Sequence, residues 1–123
     1  MADFRFIFTA QDYQRTIDFY TSTLGLSPVE SWDDDGGRGT IFAAADGQIE
    51  IFAADVSIEP PRVSGAAIAW EVGDVDSEIA RLRASGVVVL DGPTDRPWGH
   101  RNAAFEDPDG LRITLFTVTT PHP

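Results

Sequence analysis

Asp12-Tyr13-Gln14-Arg15-Thr16-Ile17-Asp18-Phe19-Tyr20 decides the fold once it is set beside Asp74-Val75-Asp76-Ser77-Glu78-Ile79-Ala80-Arg81-Leu82. In the first stretch Tyr13, Ile17, Tyr20 and Leu24 recur at steps of four, three and four, one face of an amphipathic helix. Asp12 is placed to cap its start, and Gly25 stands where a left-handed C-terminal residue is wanted. Pro28 prevents continuation. In the second stretch Val75, Ile79 and Leu82 repeat Tyr13, Ile17 and Tyr20 at a constant offset of 62. Gly86 follows Gly25 at an offset of 61, which implies one residue fewer in the second copy. An internal repeat of this kind fixes the architecture before any single motif is read.

The flanks complete each copy. Phe4, Phe6 and Phe8 alternate with Arg5, Ile7 and Thr9, which predicts a strand before the first helix. Three short strands follow, over 29–32, 39–44 and 48–53. The first two are separated by Asp33-Asp34-Asp35-Gly36-Gly37, and the next two by Asp46-Gly47, a tight-hairpin signal. Residues 55–65, with Pro60-Pro61 and no periodicity, predict a linker. The pattern then restarts with strands over 66–72, 87–90, 102–106 and 112–118, a loop over 92–98, and the turn Asp107-Pro108-Asp109-Gly110. The expectation is one α+β domain spanning 1–123, made of a βαβββ module over 1–54 and another over 66–123. A four-stranded sheet with its helix on one face leaves the other face bare. Two such sheets can form a curved mixed sheet around a cavity, the natural place for a ligand.

Composition narrows the function classes. The chain has 123 residues, 42% of them hydrophobic, enough for one core. It contains no cysteine, which excludes disulfides, zinc–thiolate sites and a thiol nucleophile. Neither a signal peptide nor an 18-residue apolar run is read from the sequence, so a cytoplasmic location without membrane binding is expected. The formal net charge of −11 repels phosphate backbones, so no nucleic-acid partner is expected. That charge either keeps the protein soluble or steers a cationic ligand. All nine basic residues are arginine, a compositional hint of a GC-rich bacterial genome.

The segment from Asp12 to Tyr20 with Leu24-Gly25-Leu26, the segment Glu71-Val72-Gly73-Asp74-Val75-Asp76, and the turn Phe105-Glu106-Asp107-Pro108-Asp109-Gly110 together resemble the glyoxalase/bleomycin-resistance/dioxygenase (vicinal oxygen chelate) superfamily. The resemblance covers nearly the whole chain and implies the same paired βαβββ fold. In metal-dependent members one ligand lies on the first strand and one on the fourth strand of each half. Those positions fall here on Arg5, Glu50, Ala67 and Thr114. A guanidinium has no lone pair for a metal, alanine offers nothing and threonine alone is a poor ligand. No metal, no other cofactor and no catalytic residue are therefore expected. In this respect the chain is closest to metal-free bleomycin-resistance-like proteins.

Alternation places Arg5, Ile7 and Thr9 inward, with Phe4, Phe6 and Phe8 against the first helix. It also places Gln48, Glu50 and Phe52 inward, and likewise Ala67, Ala69, Glu71, Arg112, Thr114 and Phe116. The expected ligand-binding residues are Arg5, Ile7, Trp32, Glu50, Phe52, Glu71, Trp98, His100, Arg101, Thr114 and Phe116. Trp98 earns its place from the loop Arg96-Pro97-Trp98-Gly99-His100-Arg101, which resembles a cavity-bordering loop of bleomycin-resistance proteins. Trp70 is expected in the core. Trp32 is either core or a stacking wall. His100 is either a general base or structural, His122 lies in the tail, and Asp33, Asp34 and Asp35 are expected to form a solvated turn. Arg5 is expected to pair with Glu50 or Glu71, for structure or to hold a ligand.

The first reading is a metal-independent, homodimeric binder of a small cationic or aromatic molecule, an antibiotic-sequestering protein by resemblance. The second is a lyase, isomerase or dioxygenase, which requires either that the metal positions lie elsewhere than assigned or chemistry by Glu50, Glu71 or His100 without metal. The third is a partner-binding or regulatory domain with a vestigial cavity.

Overall fold

Phe6, Phe8 and Ala10 alternate along the first strand, and each points to the side where a helix lies. The computed structural model describes residues 2–55 and 59–119, so the expectation for His122 lies outside the described residues. The chain forms two units, Met1–Arg62 and Val63–Pro123.

In the first unit β1 (Arg5–Ala10) leads into α1 (Tyr13–Asp18), which continues as a π-helical turn over Phe19–Thr23; β2 (Pro28–Asp34), β3 (Gly37–Ala44) and β4 (Gly47–Ala53) follow. The sheet order is β1-β4-β3-β2, with β1 parallel to β4 and the other pairs antiparallel. A helical crossover is what allows β1 to reach a parallel partner. The second unit repeats the plan with β5 (Ala67–Glu71), α2 (Val75–Ala84), β6 (Val89–Asp95), β7 (His100–Glu106) and β8 (Arg112–Val118), in the order β5-β8-β7-β6.

Each helix starts where its aspartate permits. The Asp12 carboxylate accepts from the Arg15 amide at 3.2 Å, and the Asp74 carboxylate accepts from the Ser77 amide at 3.3 Å. The Ser77 hydroxyl also donates to Asp74 at 2.8 Å, and these bonds hold the Asp74 carboxyl below the usual carboxylate range. Each helix ends at a glycine with positive φ, Gly25 at 74° and Gly86 at 92°.

The mismatch of one residue between the copies has a local cause. The Leu24 amide donates to the Phe19 carbonyl at 2.8 Å, a step of five residues rather than four. The closing bond runs from the Leu26 amide to the Tyr20 carbonyl in the first unit, and from the Val87 amide to the Leu82 carbonyl in the second. The extra residue is absorbed by the widened turn, so Tyr20 and Leu24 both stay on the buried face.

Each core lies between the helix and one sheet face. In the first unit Tyr20 stacks on Phe42 with centroids 5.7 Å apart, above Phe8, Ile49 and Ile51. In the second, Val75, Ile79 and Leu82 cover Ala103, Phe105, Ile113 and Leu115.

Four expectations need correction. Phe4 does not pack against the first helix; it precedes β1 and is 74% exposed. The segment 92–98 is not all loop, because β6 extends to Asp95 through two register shifts, with Gly92 lying close against the carbonyl of Asn102. Gly92 takes φ of 76°, a conformation its lack of a side chain permits. The β3–β4 turn is Ala45-Asp46, with Gly47 already paired to Ala44. Asp33 and Asp34 belong to β2, leaving Asp35 and Gly36 as the loop, where the Gly36 amide donates to Asp34 at 2.8 Å.

Candidate functional site

Both sheets turn a second face away from their helix, and most of the expected site residues stand there. In the first sheet the ladder sets Ile7 beside Glu50, Thr9 beside Phe52, and Gly39 between Phe52 and Trp32. Arg5, Ile7, Glu50, Phe52 and Trp32 thus share one face. The Trp32 indole lies over Gly39, where any Cβ would collide with the ring. Its edge meets Phe52 with centroids 5.7 Å apart at 71°. Between the two open expectations for Trp32, the structure makes it part of an aromatic pair on this face.

At the other end of the same face Arg5 donates to Glu50 at 3.1 Å. The Glu50 side chain is only 10% exposed and that of Arg5 is 37% exposed. Asp3 approaches the same guanidinium at 3.5 Å. The hydrogen bond to Glu50 raises the Arg5 pKa above its ordinary value, against the opposing effect of desolvation, with Asp3 adding to the rise. Of the pairings expected for Arg5, the one with Glu50 forms within the first unit. Next to Arg5 in the ladder is Gln48, whose side-chain oxygen is buried with no hydrogen-bond partner among the described residues. An unpaired buried acceptor is costly and is satisfied by any donor brought to it.

The second sheet's corresponding face carries Glu71, Thr114, Phe116 and His100. His100 lies flat on Phe116, with centroids 4.5 Å apart and planes 8° from parallel. Beside them Arg96 donates to Asn102 at 2.9 Å and to Asp91 at 2.6 Å. Trp98 stands in the β6–β7 turn, 47% exposed. Trp70 is half-buried on the helix-facing side of β5. Asn102 and Asp91 were missed in the sequence because their places follow from the β6 bulges, which no composition rule marks.

Arg101 is a correction. It lies on the opposite face, towards α2, where it donates to Asp76 at 2.8 and 3.0 Å and to Asp95 at 3.2 Å. These bonds, first those to Asp76, raise the Arg101 pKa well above the usual arginine value, and Arg101 in turn holds the Asp76 carboxyl below the usual carboxylate range. The signal was available: His100 and Arg101 are consecutive, so the two cannot share a strand face.

The profile of the Glyoxalase/Bleomycin resistance protein/Dioxygenase superfamily matches residues 5–115. The chain belongs to that superfamily. Among solved structures it is similar to TnmS3, described as an antibiotic binding protein from Streptomyces sp. CB03234, at 31% identity over 96% of each chain with a TM-score of 0.79. It is also similar to a glyoxalase/bleomycin resistance protein from the same organism, at 32% identity over 93% of this chain and 98% of that one, with a TM-score of 0.74. Lactoylglutathione lyase from Agrobacterium tumefaciens shares the fold at 21% identity, over 94% of this chain and 92% of that one, with a TM-score of 0.71. No curated protein matches.

The four positions at which the resemblance implies metal ligands, Arg5, Glu50, Ala67 and Thr114, do not fit a metal here. Arg5 and Glu50 are already bonded to each other, Ala67 has no donor, and Thr114 offers one hydroxyl. Among the described residues no group of three or more His, Cys, Asp or Glu side chains could hold an ion. No helix among them is long and apolar enough to cross a membrane.

Proposed function

We propose that this chain is a metal-independent binder of a small aromatic molecule with cationic character, an antibiotic-sequestering protein working as a homodimer in a bacterial cytoplasm. The observation that carries the reading is the first sheet's open face. There the Trp32–Phe52 pair offers an aromatic wall, and the Arg5–Glu50 ion pair stands where a metal-dependent relative needs ligands. The unpaired Gln48 oxygen and the buried Glu50 carboxylate are acceptors suited to a ligand's N–H donors. The similarity to an antibiotic binding protein supports the same reading. Glu71, Trp98, His100, Thr114 and Phe116 belong to the proposed ligand surface of the second unit.

A thermal-shift panel of cationic aromatic antibiotics tests it. A true ligand at about 100 times its Kd stabilises the fold by about 2.7 kcal/mol, a rise of several degrees. Trp32→Ala should abolish the rise. A panel without any shift, or turnover of the compound that binds, overturns the proposal. Light scattering should give twice the chain mass for the homodimer.

A further inference from the structure

The helix side of the first unit holds a groove of about 400 Å³ between α1 and the β2–β3 hairpin. Tyr13 and Ile17 form one wall, Ser31 and Thr40 the floor, and Arg38 the rim. The floor is a chain of hydroxyls, with Tyr13 Oη 2.6 Å from Thr40 Oγ1 and Ser31 Oγ 3.2 Å from the same atom. The Arg38 guanidinium lies over the Tyr13 ring at 4.5 Å. This groove opens on the helix side of the sheet and the ligand surface proposed above lies on the other; Trp32 borders both.

The second unit shows what such an arginine takes when it can. Asp33 pairs with Arg38 in the β2–β3 ladder as Asp95 pairs with Arg101 in the β6–β7 ladder. Asp76, the second residue of α2, places a carboxylate on two nitrogens of Arg101, at 2.8 and 3.0 Å. The second residue of α1 is Gln14, and its amide donates instead to Asp18 at 2.8 Å. Arg38 is left with Asp33 at 3.6 Å, beyond hydrogen-bonding distance, on a carboxylate 77% exposed. A guanidinium has five N–H donors in a planar fork matched to a carboxylate.

We propose that this groove binds a small-molecule monocarboxylate, its carboxylate on Arg38 as the Asp76 carboxylate lies on Arg101 and its apolar body along Ile17. A planar monoanion fits better than a dianion such as phosphate, because Asp33 already shares the site and the chain carries a net charge of −11. The same charge keeps the affinity low, with Kd on the order of millimolar.

Titration of the isotope-labelled full chain with sodium benzoate, followed by amide NMR, tests the assignment. Saturable shifts should appear at Tyr13, Ser31 and Thr40. Benzyl alcohol, which has the ring without the charge, should leave those residues unmoved. Arg38→Gln should remove the shifts, and its spectrum shows directly whether the fold is kept. Gln14→Asp supplies the missing carboxylate from within and should weaken benzoate by about tenfold or more. Ala80→Asp adds the same charge on the exposed side of α2 and should change affinity by less than about twofold. Shifts that survive Arg38→Gln, equal weakening by the two aspartates, or benzoate shifts confined to the open face around Arg5 would each overturn the proposal.

Discussion

The two units repeat the sides that face their helices and differ on the sheet faces turned away from them. Phe42 and Phe105 occupy the same place on the central strand, both fully buried; Tyr20 answers to Leu82, and Ile51 to Leu115. On the face away from the helix, Arg5 answers to Ala67, Glu50 to Thr114 and Trp32 to Thr94, with only Phe52 and Phe116 alike. Packing explains the contrast. A buried position must fill a fixed volume with few polar atoms, each of them paired, so few residue types serve. A face left bare by its helix is free to change chemistry without loss of the core. One βαβββ frame thus carries an aromatic and ionic surface in one copy and a histidine–phenylalanine stack in the other.

The sharpest test of the shared buried side is to empty it once in each unit. Phe42→Ala and Phe105→Ala should each destabilise the chain by about 3–5 kcal/mol, the range for losing a buried phenylalanine side chain. Urea unfolding followed by far-UV circular dichroism measures both. Costs within about 1 kcal/mol of each other are expected if the cores are equivalent. A loss confined to one variant would break the comparison.

The same contrast explains what the sequence made legible. Buried faces leave a period, so the helix faces, the caps Asp12 and Asp74, and seven of the eight strands could be read, but only the start of β6. Even the one-residue mismatch was visible, although its form as a π-helical turn was not, because a widened turn keeps the same side chains buried. Side chains beyond the core leave no such period. Phe4 has the alternation of a strand residue yet lies before the ladder begins. The bulged β6 contains Gly92 and Pro93, which in a sequence read as loop. Arg5 with Glu50 was legible because both fell at family ligand positions. Arg38 and its groove were not, because their meaning appears only when Gln14 is compared with Asp76 in place.

Asp76 also gives the second unit a pH dependence for which Gln14 offers no counterpart in the first. Its folded-state pKa is lowered, chiefly by the hydrogen bond from Arg101. Lowering means that the stabilisation is present above the unfolded value of about 3.9 and is lost as pH falls through the folded value. Asp76→Asn removes this linkage. The variant should be less stable at pH 7, and its stability should fall less steeply than wild type below about pH 4. Acid unfolding watched at amides of α2 and β7 measures the effect, and parallel curves for the two proteins would count against the linkage. The exposure of both partners keeps the effect smaller than that of either core truncation.

The smallest expected effect lies in the turns that close each final hairpin. In the second unit Gly110 takes φ of 90°, and the Asp107 carboxylate accepts from the amides of Asp109 at 2.8 Å and Leu111 at 2.9 Å. In the first unit the β3–β4 turn has only two residues, and Ala45 takes φ of 49°. A side chain in that region costs about 1–2 kcal/mol in its backbone contacts. Glycine avoids that cost but loses more freedom on folding, by about 0.4–1 kcal/mol. The difference predicts that Ala45→Gly stabilises the chain by about 0.5 kcal/mol, whereas Gly110→Ala destabilises it. Thermal unfolding of the two variants should therefore move in opposite directions. A stabilising Gly110→Ala would mean that the Asp107 hydrogen bonds, rather than the freedom of glycine, set the shape of that turn.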